Sequence, residues 1–270
     1  MNILITGATG FVGGHLVNEL KQSNNIYFLL RKKDKEIHHD NNFYFNSNIE
    51  ELHSYILENE IEGIIHLASL FLSSHSEKDV KSLIDSNVYL GTAILESAIN
   101  SQVRWFLNIG TFWQHFAPDS SNYNPVNLYA ATKQAFIDMA KYYEEISNIK
   151  FVTLKICDTY GPNDTRSKIF NIWNRIAETG EELPMSPGEQ YMDILHINDV
   201  ISGIIHLTEM LDSDQKLYDS YALYSDKRFK IKDLAIEFER ITEKKLNIIW
   251  GGRRYREREV MIPWLLGNKL

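Results

Sequence analysis

Tyr129 and Lys133 stand four residues apart in NLYAATKQAF, a stretch with helical patterning, and that spacing puts a phenol and an ammonium on one helix face. An ammonium beside a phenol favours phenolate, so Lys133 is expected to lower the Tyr129 pKa toward the working range, where the phenol gives or takes a proton at a carbonyl or alcohol. Thr111, in NIGTFWQHF, precedes the pair by about one strand-to-helix unit and is expected to hydrogen-bond the same substrate oxygen. A chain with 14 tyrosines meets a Tyr-x-x-x-Lys spacing readily by chance, so the pair gains weight only from its context. Thr111 falls at the carboxyl end of an apolar run, 105–109, where open α/β sheets collect their ligands.

A second constellation lies in TGATGFVGGHL, where Gly7, Gly10 and Gly13 fall between an apolar run and a stretch of helical periodicity. Glycine is needed where a backbone turns with positive φ, approaches a pyrophosphate, and packs helix on strand, while the helix N-terminus offers free N–H groups to the anion. Gly7, Thr9, Gly10, Phe11, Val12 and Gly13 are therefore candidate dinucleotide contacts. The cofactor's identity turns on the end of the next apolar run. An acidic side chain there would accept bonds from the adenosine ribose of NAD; this chain has Arg31, followed by Lys32 and Lys33. Their charge favours the 2′-phosphate, so NADP(H) is preferred and NAD(H) is the alternative; a merely solvated basic strand end is the plainer reading.

The elements that must hold these groups follow from periodicity. Apolar runs at 2–6, 26–30, 43–45, 63–67, 105–109 and 151–156 alternate with helix-period stretches at 49–58, 80–99 and 128–146. Such alternation predicts right-handed βαβ units and a parallel sheet covered on both faces, a doubly wound α/β fold. Beyond Gly161 the rhythm loosens: a helix at 168–178, a turn-rich break in LPMSPGEQ, a strand at 193–197, and a helix at 200–210 capped by Asp199. The tail adds a helix at 232–241, a strand at 246–250 and the charged GGRRYREREV. The expected division is a core at 1–165 continued by 190–225, with 166–189 and 226–270 as a small substrate-binding lobe.

Composition narrows the partners. At 270 residues with net charge −8 and pI near 5.6, and without a run of basic residues, the chain carries no footprint for nucleic acid or an anionic membrane. Cys157 is the single cysteine, which excludes an internal disulfide and suits a reducing cytosol. Neither a secretory leader nor an apolar run of ~18 residues is present, so no membrane span is expected. No metal-ligand set is assigned.

Together these residues resemble the extended branch of the short-chain dehydrogenase/reductase superfamily, which acts on sugar nucleotides. The resemblance runs through TGATGFVG, HLAS at 66–69, Asn87 in SNVYLGT, Thr111, Tyr129 with Lys133, TYGP at 159–162 and GEQYMDILHINDV at 188–200. It implies a Rossmann fold in which His66, Leu67, Ala68 and Ser69 line the cofactor, Asn48 and Ile49 flank the adenine, and Asn87 supports the cofactor or the tyrosine helix. It also implies a homodimer through the helices at 80–99 and 128–146. Within the branch, GTFWQHF, YNPVNLYAATKQAF and YREREVMIPW resemble the abequose and paratose synthases, reductases of a CDP-linked 4-keto-3,6-dideoxyhexose.

The branch's 4,6-dehydratases carry Asp and Glu directly after the threonine, whereas this chain has Phe112 and Trp113, which cannot shuttle a proton in an elimination. The inventory therefore suits 4-keto reduction with Thr111, Tyr129 and Lys133. An NAD-dependent 4-epimerase is the runner-up, and a non-catalytic NADP-binding sensor a more distant third. Phe112 and Trp113 are read either as an apolar wall against a deoxygenated sugar face or as core, with Gln114 or His115 bonding a remaining hydroxyl. Asp158 replaces the branch's substrate-binding amide and is expected to accept from a sugar hydroxyl. Met192 replaces a common arginine, leaving Arg166 and the cluster Arg253, Arg254, Arg256 and Arg258 to clamp the diphosphate.

Overall fold

The computed structural model describes residues 1–31, 41–213, 215–264 and 266–270. Its order is β1 (Asn2–Thr6), α1 (Phe11–Leu20), β2 (Asn25–Arg31), β3 (Asn42–Phe45), α2 (Ile49–Glu58), β4 (Gly63–His66), α3 (Val80–Ile84), α4 (Leu90–Ala98), β5 (Trp105–Thr111), α5 (Leu128–Ile146) and β6 (Lys150–Ile156). There follow β7 (Asp158–Tyr160), α6 (Ile169–Thr179), β8 (Leu183–Met185), β9 (Tyr191–His196), α7 (Ile197–Asp212), β10 (Ser220–Leu223), β11 (Arg228–Lys230), α8 (Ile231–Thr242) and β12 (Ile248–Trp250).

Seven parallel strands form the main sheet in the order β10-β6-β5-β4-β1-β2-β3. The chain thus starts in the middle, runs outward through β2 and β3, and crosses back to β4 on the other side of β1. That reversal opens a crevice at the carboxyl ends of β1 and β4, the place where doubly wound sheets take their ligands. Alternate strand residues face opposite helix layers. Ile3, Ile5, Leu107 and Leu154 pack under Leu16 of α1 and Ile204 and Leu207 of α7, while Leu4, Ile64, Phe106 and Phe151 pack under Ile56, Ile94, Phe136 and Ala140. Both sheet faces are dry, which is why the strands read as apolar runs without alternation.

Outside this sheet, β11-β9-β7 and β12-β8 are small sheets, and α6 and α8 close over Trp173, Ile176, Met185, Leu234 and Phe238. A buried ion pair joins these parts. Asp193 on β9 accepts from Arg228 Nε at 2.9 Å and from Ser225 N at 2.8 Å, and Arg228 Nη2 also reaches Trp264 O at 3.1 Å. The Asp193 side chain is only 1% exposed, so Asp193→Ala strands a guanidinium away from water and is expected to cost about 3–5 kcal/mol in urea unfolding. A cost below about 1 kcal/mol would show that water or a tail movement replaces the carboxylate.

Three sequence expectations are corrected. The helix expected at 80–99 is interrupted by a π-helical turn, Asp85–Tyr89, which turns Asn87 fully inward. Asp199 is not a cap: α7 starts at Ile197, directly after β9, with His196 Nδ1 accepting from Asn198 N, and Asp199 sits in the first turn where its charge suits the helix dipole. The break expected in LPMSPGEQ contains the short strand β8, which pairs with β12.

Candidate functional site

The turn from β1 into α1 is shaped by two glycines. Gly7 has φ +73°, and a Cβ there would lie 2.7 Å from Ala68 N. A Cβ on Gly13 would lie 2.2 Å from Gly7 O, so α1 rests directly on the turn. Gly10 caps α1 without a side-chain bond, and helical bonding begins only at Gly14 N to Gly10 O, 2.8 Å. The N–H groups of Phe11 and Val12 therefore have no intrahelical partner. Thr9 and Gly10 are exposed beside them. This chemistry fits a pyrophosphate: a positive helix end, free donors and no side chain in the way.

The carboxyl end of β4 borders the same crevice. Thr6 Oγ1 accepts from Ala68 N at 3.0 Å and meets His66 Nδ1 at 2.9 Å, holding the strand end against the glycine turn. His66 itself is fully buried, and desolvation, reinforced by the charge of Lys133, pushes its pKa down to about 3, so it is a neutral floor rather than a lining group. Leu67 and Ala68 are half-buried and Ser69 is exposed. Asn87 takes hydrogen bonds from Ser69 Oγ and Leu70 N and gives its own to Leu70 O and Thr132 Oγ1, all at 2.8–3.0 Å. With every polar position of its amide engaged, it clamps this loop to α5. Arg31 is exposed at the last position of β2; Lys32 and Lys33 lie outside the described residues. Asn48 caps α2 by accepting from Glu50 N and Glu51 N, with Ile49 half-buried next to it.

Tyr129 occupies the first turn of α5. Asn127 caps that turn through Ala130 N, and its amide donates to Leu72 O and Ser73 O at 3.1 Å, so the loop after β4 is fastened to the helix at a second point. Lys133 lies one turn deeper, 1% exposed, in the stripe shared with Phe136 and Ala140. Burial, with no carboxylate partner among the described residues, lowers its pKa to about 8. The expected depression of the Tyr129 pKa does not occur: burial raises it to about 12, a hydrogen bond with Ser69 opposes the rise, and the charge of Asp158 adds to it. Desolvating a phenolate outweighs the stabilisation that the Ser69 hydrogen bond offers it. At neutral pH the phenol is in its proton-donating form.

Thr111 ends β5 and caps the 3-10 turn Phe112–Gln114. Its oxygen accepts from Trp113 N at 3.3 Å and from the Gln114 backbone, which leaves its O–H hydrogen to donate elsewhere. Gln114 returns the bond by accepting from Thr111 N at 3.0 Å, and its amide donates to Gln134 Oε1 of α5 at 2.8 Å. The turn carrying Thr111 is thereby tied to the helix carrying Tyr129. Phe71, from the loop after β4, touches both, edge-on to Tyr129 at 5.0 Å and tilted against Trp113 at 5.5 Å.

Several substrate assignments change. Gln114 is fully buried and its amide is spent on Thr111 and Gln134, so it is a brace for the turn and not a sugar contact. His115, also buried, stacks on Trp264 at 4.1 Å with Nε2 2.8 Å from Lys155 Nζ. Phe112 belongs to the core beside Ala222 and Trp264, whereas Trp113 is half-buried against Phe71. Arg166 is held by both oxygens of Asp164 and by Thr159, and stacks on Phe11 at 4.2 Å, so it steadies the glycine turn from above and is not free to clamp a diphosphate. Arg258 bonds Pro125 O and Asn124 Oδ1, while Arg256 is exposed in the tail turn. Asp158 pairs with Lys168 at 2.7 Å. Phe71 and Lys168 escaped sequence reading, since one lies in an irregular loop and the other just before a helix.

Among the described residues no group of three or more histidine, cysteine or carboxylate side chains is placed to hold a metal ion, and no helix is long and apolar enough to cross a membrane.

A glycine turn at the switch point of a doubly wound sheet, with a tyrosine and lysine one turn apart across the crevice, describes a dinucleotide-dependent α/β protein. The chain belongs to the NAD dependent epimerase/dehydratase family, whose model matches residues 3–221. A CDP-abequose synthase of Yersinia pseudotuberculosis is 28% identical over 267 residues, 97% of this chain and 92% of that protein. Among solved structures, UDP-glucose 4-epimerase from Thermotoga maritima, with UDP-glucose, superposes with TM-score 0.82 at 18% identity, covering 99% of this chain and 90% of that one. UDP-glucuronic acid 4-epimerase from Bacillus cereus, with UDP-glucuronic acid and NAD, gives 0.83 at 19% identity over 98% of this chain and 90% of that one.

Proposed function

We propose that this protein is an NADPH-dependent reductase of the 4-keto group of a nucleoside-diphosphate deoxyhexose, of the abequose and paratose synthase type. The observation that carries the reading is the turn after Thr111. Its Phe112 is sealed into the core and the next residue is Trp113, half-buried against Phe71, so the two positions where an elimination needs an acid and a base hold neither. Similarity to a CDP-abequose synthase along 97% of the chain supports the same choice.

When bound, the reduced nicotinamide cofactor supplies the hydride that the ketone carbon accepts. Gly7, Thr9, Gly10, Phe11, Val12 and Gly13 would hold its pyrophosphate, with Leu67, Ala68 and Ser69 along its side and Arg31 at the 2′-phosphate. Tyr129 donates its hydroxyl proton to the ketone oxygen as the carbon is reduced, and the O–H of Thr111 donates a hydrogen bond to that oxygen. The Lys133 ammonium stabilises the phenolate left behind until solvent returns a proton. A phenol held protonated by burial suits a reaction that begins with donation, whereas an epimerase must begin by removing a proton from an alcohol. Trp113 and Phe71 offer an apolar face to a ring lacking hydroxyls, and Arg256 remains a candidate for the diphosphate.

The test is a screen of CDP-, GDP-, UDP- and dTDP-linked 4-keto sugars for loss of NADPH absorbance. Interconversion of 4-epimers without net NADPH use would replace the reductase by an epimerase; no response to any of them would leave a binding protein. For the cofactor, Arg31→Asp is expected to weaken NADPH relative to NADH by roughly tenfold to a hundredfold in fluorescence titrations. Equal losses for both would remove Arg31 from the 2′-phosphate.

A further inference from the structure

The loop after β4 and the segment between β7 and α6 bring together groups that proton transfer does not use. Lys168 Nζ lies 2.7 Å from Asp158 Oδ1 and 4.3 Å from the centre of the Phe71 ring. Phe71 in turn stands edge-on to Tyr129 at 5.0 Å. The ion pair therefore flanks the phenol, close enough that the charge of Asp158 is felt there. The carboxylate is held at one oxygen only, since Oδ2 accepts no hydrogen bond among the described residues. With side chains 25% and 31% exposed, Lys168 and Asp158 are half-buried yet reachable.

A hexose whose C4 oxygen meets Tyr129 must bring its neighbouring ring positions against these groups. C3 carries a hydroxyl or hydrogen, and C5 carries C6, which is a hydroxymethyl or methyl group in a neutral sugar and a carboxylate in a hexuronic acid. Resting on the sugar-nucleotide reading above, we propose that Lys168 is a positioning residue that aims Asp158 at a sugar hydroxyl, and that the pair selects an uncharged hexose ring over a hexuronic acid. The face of Phe71 steadies the ammonium, and the ammonium steadies the carboxylate, leaving Oδ2 to accept. A uronate entering the same place meets Asp158 with Lys168 already engaged, and one of two neighbouring carboxylates must go without a counter-ion in a half-buried site.

The experiment measures calorimetric affinity, with NADP present, for glucose and glucuronic acid carried on the same nucleoside diphosphate, tried with cytidine, guanosine, uridine and thymidine. Wild type is expected to favour the neutral sugar by at least about tenfold. Asp158→Asn should level or invert that ratio, because Lys168 is released to pair with the uronate. Lys168→Met should weaken the neutral sugar, and Lys168→Arg should restore it. Because each ratio is taken within one protein, a general loss of stability does not move it. Equal affinities in the wild type, or an unchanged ratio in Asp158→Asn, would overturn the role of the pair. Binding of neither sugar on any of the four nucleotides would overturn the sugar-nucleotide reading itself, and the pair with it.

Discussion

Tyr129→Phe is expected to lower turnover by at least about a hundredfold while leaving NADPH affinity within about twofold of wild type. The substitution removes one oxygen and keeps the ring, so the edge contact with Phe71 at 5.0 Å and the first turn of α5 survive. What is lost is the phenol proton that the proposed reduction transfers to the ketone oxygen. Steady-state NADPH oxidation and a cofactor titration measure the two quantities separately. Turnover retained within about tenfold would mean that water or Thr111 delivers the proton and that Tyr129 only packs. The pH profile adds a sign. Burial holds the phenol protonated up to about 12, so the donor itself is not lost through the neutral range. The Lys133 ammonium, lowered to about 8, is present below that pH and lost above it. The rate should therefore fall as pH rises through about 8, because the phenolate formed on transfer loses its cation. In Lys133→Met that alkaline limb should disappear along with most of the activity.

The same tyrosine shows how far a one-dimensional reading reaches. Spacing placed Tyr129 and Lys133 on one helix face, and the glycine turn and strand runs marked the crevice, because these features depend on neighbours within a few positions in the chain. The direction of the Tyr129 shift was not legible. It depends on burial by Phe71 and on the charge of Asp158, 58 and 29 positions away along the chain. Gln114 is a similar case: an amide in a turn beside the site looks like a ligand group until the fold brings Gln134 to it. Arg166 was named for its charge, but Asp164 and Phe11 capture it first. The strand β10 went unread because SYAL has neither length nor alternation; it becomes a strand by pairing with β6 at the sheet edge. Short elements and charged side chains take their roles from the partners that folding selects, whether near in the chain, as Asp164 is to Arg166, or far, and one sequence does not display that choice.

Gly13→Ala is expected to weaken NADPH by at least about tenfold and to lower stability by about 1–3 kcal/mol, an overpacking cost with no flexible neighbour to absorb it. The added methyl would lie 2.2 Å from Gly7 O, 2.7 Å from Ala8 Cα and 2.9 Å from Gly7 C, all backbone atoms. Relief requires α1 to lift away from the turn, but the turn cannot follow. Gly7 is held at φ +73° against Ala68, and Ala68 N is bonded to Thr6 Oγ1 at 3.0 Å. Moving α1 carries off the N–H groups of Phe11 and Val12 that the pyrophosphate would need, so stability and affinity should fall together. Gly14→Ala is the matched control. The new methyl there meets nothing nearer than Ala8 O at 3.9 Å, and alanine in place of glycine inside a helix stabilises by about 0.5–1 kcal/mol. Its melting temperature should rise slightly at unchanged NADPH affinity, measured by thermal denaturation and fluorescence titration on both variants. If the two variants behave alike, the close contact of α1 with Gly7 does not shape the cofactor turn, and the anion must be held by other groups.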